Sequence, residues 1–326
     1  MILLERHHPR CPHRPLHQLK RSGAIANSRP GRADIQFVDY DSVRFHISTP
    51  ESKTVLLLSM AIQCWPDLLK YGSREHLEKE YGDYILPQSQ TESEYDVSFA
   101  IDLERLPQSD EEKAELIRHF SLVKRNALAA PFLGSFEEQR HLAETYKPPQ
   151  GLDDQPRESQ GELKVINYRD GEAIFLRASH DRVTVIFSTE FKEETDRIFG
   201  RVFLQEFYDA RKLQALQSAP QVTYSNREPP LEIRHLPGLR RNENVGYVTF
   251  ILAPRHFANP ELAIGTISRI QLFRDYLHYH IKCSKAYMHS RMRYRVAEFL
   301  KILNRAKPEV QTHERKTISG RTFRSR

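Results

Sequence analysis

The C-terminal third of the chain limits the fold most. Asn259-Pro260-Glu261 opens a helix with a capping amide, a proline at the first turn and an acid beside the positive end of the dipole. No further proline occurs until Pro308, and Gly265 is the only glycine in between. Thr266 to Ala306 alone is 41 residues, about 60 Å at the usual rise of about 1.5 Å per residue. Average helices run to only about a dozen residues. The expected helix spans 260–307.

Along it, Ile270, Leu277, Ile281, Ser284, Met288, Met292, Phe299 and Leu303 succeed one another in steps of three, four or seven and make one stripe. A domain of the available size is about 35 Å across, from the scaling of radius of gyration with length. Much of the stripe must then overhang its own domain. Leaving four or five such side chains in water forgoes about 1.5–3 kcal/mol each, a sum that rivals the stability of a whole domain. A partner helix is the expected cover, with Ile270, Leu277, Ile281, Met288, Met292, Phe299 and Leu303 as its interface. The chain is therefore expected to be an obligate subunit.

The same segment holds His278, His280, Cys283 and His289. At about 100° per residue His278 and His280 point to nearly opposite sides. His278 and His289 share a side but lie about 16 Å apart along the axis. Four ligands cannot converge, so no metal site is expected.

Charge is distributed unevenly. Residues 261–307 carry ten Lys/Arg against three Asp/Glu, residues 308–326 five against two, and residues 1–32 seven against one. The stretch 33–260 is acidic by ten charges, within a net +6 for the chain. An acidic partner at the C-terminal side follows. Arg269, Arg291, Lys301 and Arg305 flank the stripe on one side, and Lys282, Arg293 and Lys307 on the other. Arg274 and Arg295 fall within it, where pairing with a partner's carboxylates is expected.

Ahead of this helix the apolar pattern is that of an α+β protein with two similar α/β domains, each β-β-β-α-β-β-α with an antiparallel sheet. In the first, 33–145, strands fit around Ile35, Val43–Ile47, Val55–Ile62, Tyr84–Leu86 and Tyr95–Leu103. Helices fit at Pro66–Tyr81 and after the N-cap Ser109. A polar linker, 146–161, is rich in Pro and Gly. The second domain, 162–307, has strands at Leu163–Tyr168, Ala173–Ala178, Arg182–Ser188, Gln221–Tyr224 and Val245–Leu252. A helix over Glu193–Leu216 presents Ile198, Val202, Phe203 and Phe207 as its apolar face, and the domain ends in the long helix. A basic tail, 308–326, closes the chain. Residues 1–32 lack apolar periodicity beyond their first few positions and read as disordered, or as the product of a misread gene model.

No apolar run approaches the length of a membrane span. Three separated cysteines, Cys11, Cys64 and Cys283, supply neither a disulfide framework nor a zinc ribbon, and fit a reducing, cytosolic setting. The motifs GxSxG, GxxxxGK[ST], GxGxxG and HExxH do not occur. His46 and His180 show no partner acid and nucleophile in the linear pattern. An enzyme is not expected. The basic helix also admits a nucleic-acid-binding scaffold or, less well, a peripheral membrane protein.

The segments RVTVIFSTEF (182–191), APQVTYSNREPPLE (219–232), FRDYLHYHIKCSKAYMHSRMR (273–293) and DYDSVRFHISTPESKT (39–54) resemble the family of subunit 2 of the actin-related protein 2/3 complex. The likeness runs from about Asp34 to Arg326. It implies a non-catalytic cytoplasmic scaffold of the actin cytoskeleton with no cofactor and no metal. It also implies two similar α/β domains followed by a long helix that packs against the corresponding helix of subunit 4. With the other subunits of that complex, the pair carries the actin-related proteins and holds the side of a pre-existing filament, from which a branch grows. Arg291, Arg293, Lys301, Arg305 and Lys307 are the expected filament contacts, and neither nucleic acid nor a membrane span is expected. The chain departs from the family after MILLE, where RHHPRCPHRP replaces an apolar, helix-forming segment.

Overall fold

Apolar side chains at every second position line one face of the first sheet in the computed structural model of the chain. The structure describes residues 32–39, 41–147, 159–210, 212–214 and 217–306, and the backbone at 315–316 and 322–323. Strands β1 (Asp34–Val38), β2 (Arg44–Ser48), β3 (Val55–Ala61) and β4 (Val97–Asp102) run antiparallel in chain order. Their register sets two cross-strand rows on one face, Ile35–Ile47–Leu58–Phe99 and Phe37–Phe45–Met60–Val97. A one-residue slip would turn both rows to the other face. That face holds Ser59 and Ser98, hydrogen-bonded to each other at 2.9 Å and fully buried.

Two expectations for this region change. The Tyr84–Leu86 strand contracts to a single bridge, Ile85 to Phe99, with Leu86 N donating to Ser98 O at 2.8 Å. The 3₁₀ turns Gly82–Tyr84 and Gln88–Gln90 flank it and leave no room for a longer ladder. The Pro66–Tyr81 helix splits into α1 (Trp65–Lys70) and α2 (Ser73–Tyr81), because Gly72 takes a left-handed φ of 78° between them. Ser109 caps α3 (Asp110–Ser121) as expected, its side chain accepting from Glu111 N. Helix α4 (Val123–Ala127) follows, and then α5 (Ala130–Thr145). Pro131 sits in the first turn of α5, where its missing N–H costs nothing.

The second sheet has β5 (Gln160–Arg169), β6 (Glu172–Ser179), β7 (Val183–Glu190), β8 (Gln221–Asn226) and β9 (Val245–Leu252). All neighbours are antiparallel, in the order β5-β6-β7-β9-β8. Central β7 is buried along all but its last residue, as a strand covered on both faces must be. One face carries Ala173, Phe175, Ile186, Val245 and Tyr247, closed by Ile233. The other carries Leu176, Val185, Phe187, Val248 and Phe250 and meets helices. A mixed α+β fold with two antiparallel sheets therefore stands.

Helix α6 (Glu194–Ala210) buries Gly200 and Leu204, with Phe203 and Phe207 half-buried. Ile198 and Val202 are exposed, contrary to the expected face. Phe191 decides the rotation. Its ring is buried against Gly200, where an added Cβ would lie 2.7 Å from a ring carbon. Gly200→Ala is expected to destabilise the chain by about 1–3 kcal/mol through overpacking, despite alanine's better helix propensity. Urea denaturation reads this directly, and a more stable variant would refute the packing.

Helix α7 (Pro260–Ala306) is 47 residues long. The chain divides after His278 into two compact units, and α7 runs from the first into the second. In the second unit, Arg315–Lys316 and Thr322–Phe323 pair as a short antiparallel ladder.

Candidate functional site

Helix α7 begins as its sequence requires. Leu262 N donates to the Asn259 side chain at 2.8 Å, and Thr266 Oγ1 donates to His256 O at 2.6 Å. Its first turns pack on the helix-bearing face of the second sheet. The Phe273 ring lies 4.8 Å from Phe250, 5.7 Å from Phe187 and 6.2 Å from Phe207, centre to centre. These spacings suit edge-on and tilted aromatic pairs. Gln271 Nε2 donates to Arg125 O at 3.2 Å, adding a tie to α4.

Arg274 lies within the stripe and finds its carboxylate at home. Its Nε donates to Glu172 Oε2 at 2.7 Å, both side chains being buried, and its guanidinium stands 5.9 Å from the centre of the Tyr168 ring. Burial opposes the charge on Arg274, yet Glu172 outweighs it and raises the guanidinium's pKa. The expected pairing of Arg274 with a partner is thereby corrected. The acid that satisfies it lies 102 residues earlier in the same chain.

The stripe divides into two parts. Ile270, Leu277 and Ile281 are 3%, 2% and 1% exposed. They are covered within this chain, so no partner helix can use them. Met288, Met292, Phe299 and Leu303 are 48%, 58%, 60% and 42% exposed. From Lys282 to Ala306 every residue is exposed except Ser284, Lys285 and Glu298, which are half-buried. At about 100° per residue Val296 and Ile302 fall on the same face as those four, with Leu300 at its edge, and all three are exposed. They widen the stripe into a broad apolar face. Their helical phase contains the signal, but the seven-residue step from Met292 to Phe299 passes over Val296, and the next step, to Leu303, passes over Leu300 and Ile302.

Arg291, Arg293, Lys301 and Arg305 are exposed beside this face. Arg291 donates to Tyr287 Oη at 3.3 Å and stands 5.7 Å from that ring's centre. Lys301 pairs with Glu298 at 2.7 Å. Lys307 lies outside the described residues, as do residues 1–31 and most of the 146–161 linker and the 308–326 tail.

The comparisons with known proteins bear on this geometry. The family described as Arp2/3 complex, 34 kD subunit p34-Arc, matches residues 58–310, a span that takes in the whole second sheet and α7. The chain belongs to the p34-Arc family. It is 52% identical over 302 residues to actin-related protein 2/3 complex subunit 2 of Schizosaccharomyces pombe, covering 92% of this chain and 93% of that protein. It is 39% identical over 289 residues to the protein of the same name from Dictyostelium discoideum, covering 88% and 90%.

His278 and His280 are half-buried, and Cys283 and His289 are exposed. Among the described residues no three His, Cys, Asp or Glu side chains are grouped to hold a metal ion. Burial pushes the Cys64 thiol up to about 12, the setting of an inert structural cysteine. Among the described residues no helix is long and apolar enough to cross a membrane.

His46 is the histidine that the linear pattern misjudges. Its Nδ1 is 2.6 Å from Glu92 Oε1 and its Nε2 is 3.0 Å from Asp34 Oδ1. Burial favours the neutral ring, but the two carboxylates outweigh it and raise the pKa. Both nitrogens are occupied by acids, so neither is left to take a proton from a hydroxyl. The group is a strap across β1, β2 and the 92 loop. Its acids lie 12 and 46 residues away, beyond the reach of spacing arguments.

Proposed function

We propose that this chain is a non-catalytic scaffold subunit of an actin-related protein 2/3 complex. The exposed half of α7 clasps a helix of subunit 4, and its basic flanks contact the side of the mother actin filament in branch nucleation. The carrying observation is the two-part stripe. Its first part is buried, while six or so large apolar side chains continue the face in solvent. A face of that kind on a folded chain marks a partner surface. The names of the two relatives supply the kind of assembly. Segment 279–306 carries seven Lys/Arg against a single Glu, which suits an acidic filament surface.

Reversing Arg291, Arg293, Lys301 and Arg305 to Glu tests the filament role. Exposed pairs contribute about 0.2–1 kcal/mol each, so four reversals should weaken filament co-sedimentation about thirtyfold, near 2 kcal/mol. Assembly with subunit 4 should persist. Unchanged, salt-sensitive filament binding would remove these residues from the contact. Competition by duplex DNA with a steep salt slope would instead support a nucleic-acid scaffold.

A further inference from the structure

A group of charges away from the exposed half of α7 surrounds the base of that helix. In the β1–β2 turn, Asp39 and Asp41 both accept hydrogen bonds from Lys124 Nζ of α4, at 2.5 Å for Asp39. Asp39 also holds its own turn, its Oδ1 accepting from Asp41 N at 3.0 Å and Val43 N at 2.9 Å. Arg274 and its buried partner Glu172 stand beside Tyr168, and Arg169 donates to Ser42 Oγ in the same turn at 3.3 Å. Asp275, next along α7, completes the group. Its Oδ1 is buried and makes no hydrogen bond.

The charge count is informative. Asp39, Asp41 and Glu172 balance Lys124, Arg169 and Arg274, provided that Asp275 is neutral. An ionised Asp275 leaves one negative charge uncompensated, with its Oδ1 shut off from water and from any hydrogen bond. Burial, followed by the Asp41 carboxylate, pushes the Asp275 carboxyl from 3.8 up to about 7, while Lys124 and Arg274 pull the other way.

We propose that Asp275 is the proton switch of a latch between the β1–β2 turn and the base of α7. Neutral, it lets the helix rest against the Asp39–Lys124–Asp41 turn; ionised, it repels that turn and loosens the helix base. The latch is independent of what the exposed half of α7 binds. An acid whose pKa is raised in the closed state keeps a proton that it releases on opening. Closure therefore weakens as pH rises from 3.8 to about 7 and stays constant above that value. The opening constant should rise about twentyfold between about pH 5.5 and about pH 7.5.

Hydrogen exchange by mass spectrometry tests this on the full chain in its purified assembly, after correction for intrinsic exchange rates. Peptides covering 38–43 and 270–278 should lose about twentyfold in protection over that pH range in the wild type. In Asp275→Asn, an isosteric mimic of the neutral acid, they should keep the acid-side protection throughout. His46, held by Asp34 and Glu92, titrates in both proteins, so the difference between them isolates Asp275. Equal protection at both pH values in the wild type overturns the latch, whether or not the variant folds. So does an equal decline in Asp275→Asn.

Discussion

Met292→Asp combined with Phe299→Asp is expected to leave the chain folded and to abolish the pairing with subunit 4 proposed for it. Both side chains are more than half exposed, so neither contributes much to the fold of the isolated chain. On assembly they would sit at the middle of the exposed face, where truncations cost most. Removing two such side chains forgoes about 1.5–3 kcal/mol each. Placing a carboxylate in a desolvated seam adds its own penalty. A loss of about 4–6 kcal/mol corresponds to about a thousand- to ten-thousandfold in affinity. Co-expression followed by affinity purification reads the result, with circular dichroism as the control for folding. Undiminished recovery of subunit 4 would show that this face is not its seat.

Arg274→Met should have the largest effect on the chain's own stability. The arginine and Glu172 are both buried, and Glu172 also accepts from Glu190 N at 3.0 Å. Methionine fills much of the stem's volume but leaves the Glu172 carboxylate buried opposite an apolar group. Removing one partner of a buried pair costs about 3–5 kcal/mol. Pairing Arg274→Met with Glu172→Gln should recover part of that loss, because the stranded charge is gone. Chemical denaturation of the two variants measures both effects, and a cost below about 1 kcal/mol for Arg274→Met would mean that the pair is effectively solvated.

Much of the architecture was legible because its signals are local. Alternation marked strands covered on one face, such as β1, which repeat every two residues, and short apolar runs marked those covered on both, such as β7. Ser109 and Asn259 announced their helices through side chains that reach the first orphan amides. The absence of proline after Pro260 foretold the longest helix. Where expectations failed, a residue outside the counted pattern had intervened. Phe191 turned α6 so that Ile198 and Val202 face outward. Gly72 admitted a left-handed residue that an amphipathic count does not register.

The site divides in the same way. Sequence alone determined that α7 is long, apolar along one face and basic beside it, because helical periodicity needs no tertiary information. Where that face passes from covered to open depends on tertiary packing. The second sheet supplies Phe187, Phe250 and Glu172 to the first half of the helix. Past Ile281 the chain covers no further large apolar residue of α7. Burial depends on atoms far away in the chain, whereas periodicity depends only on neighbours, and so the length of the exposed face had to come from the fold.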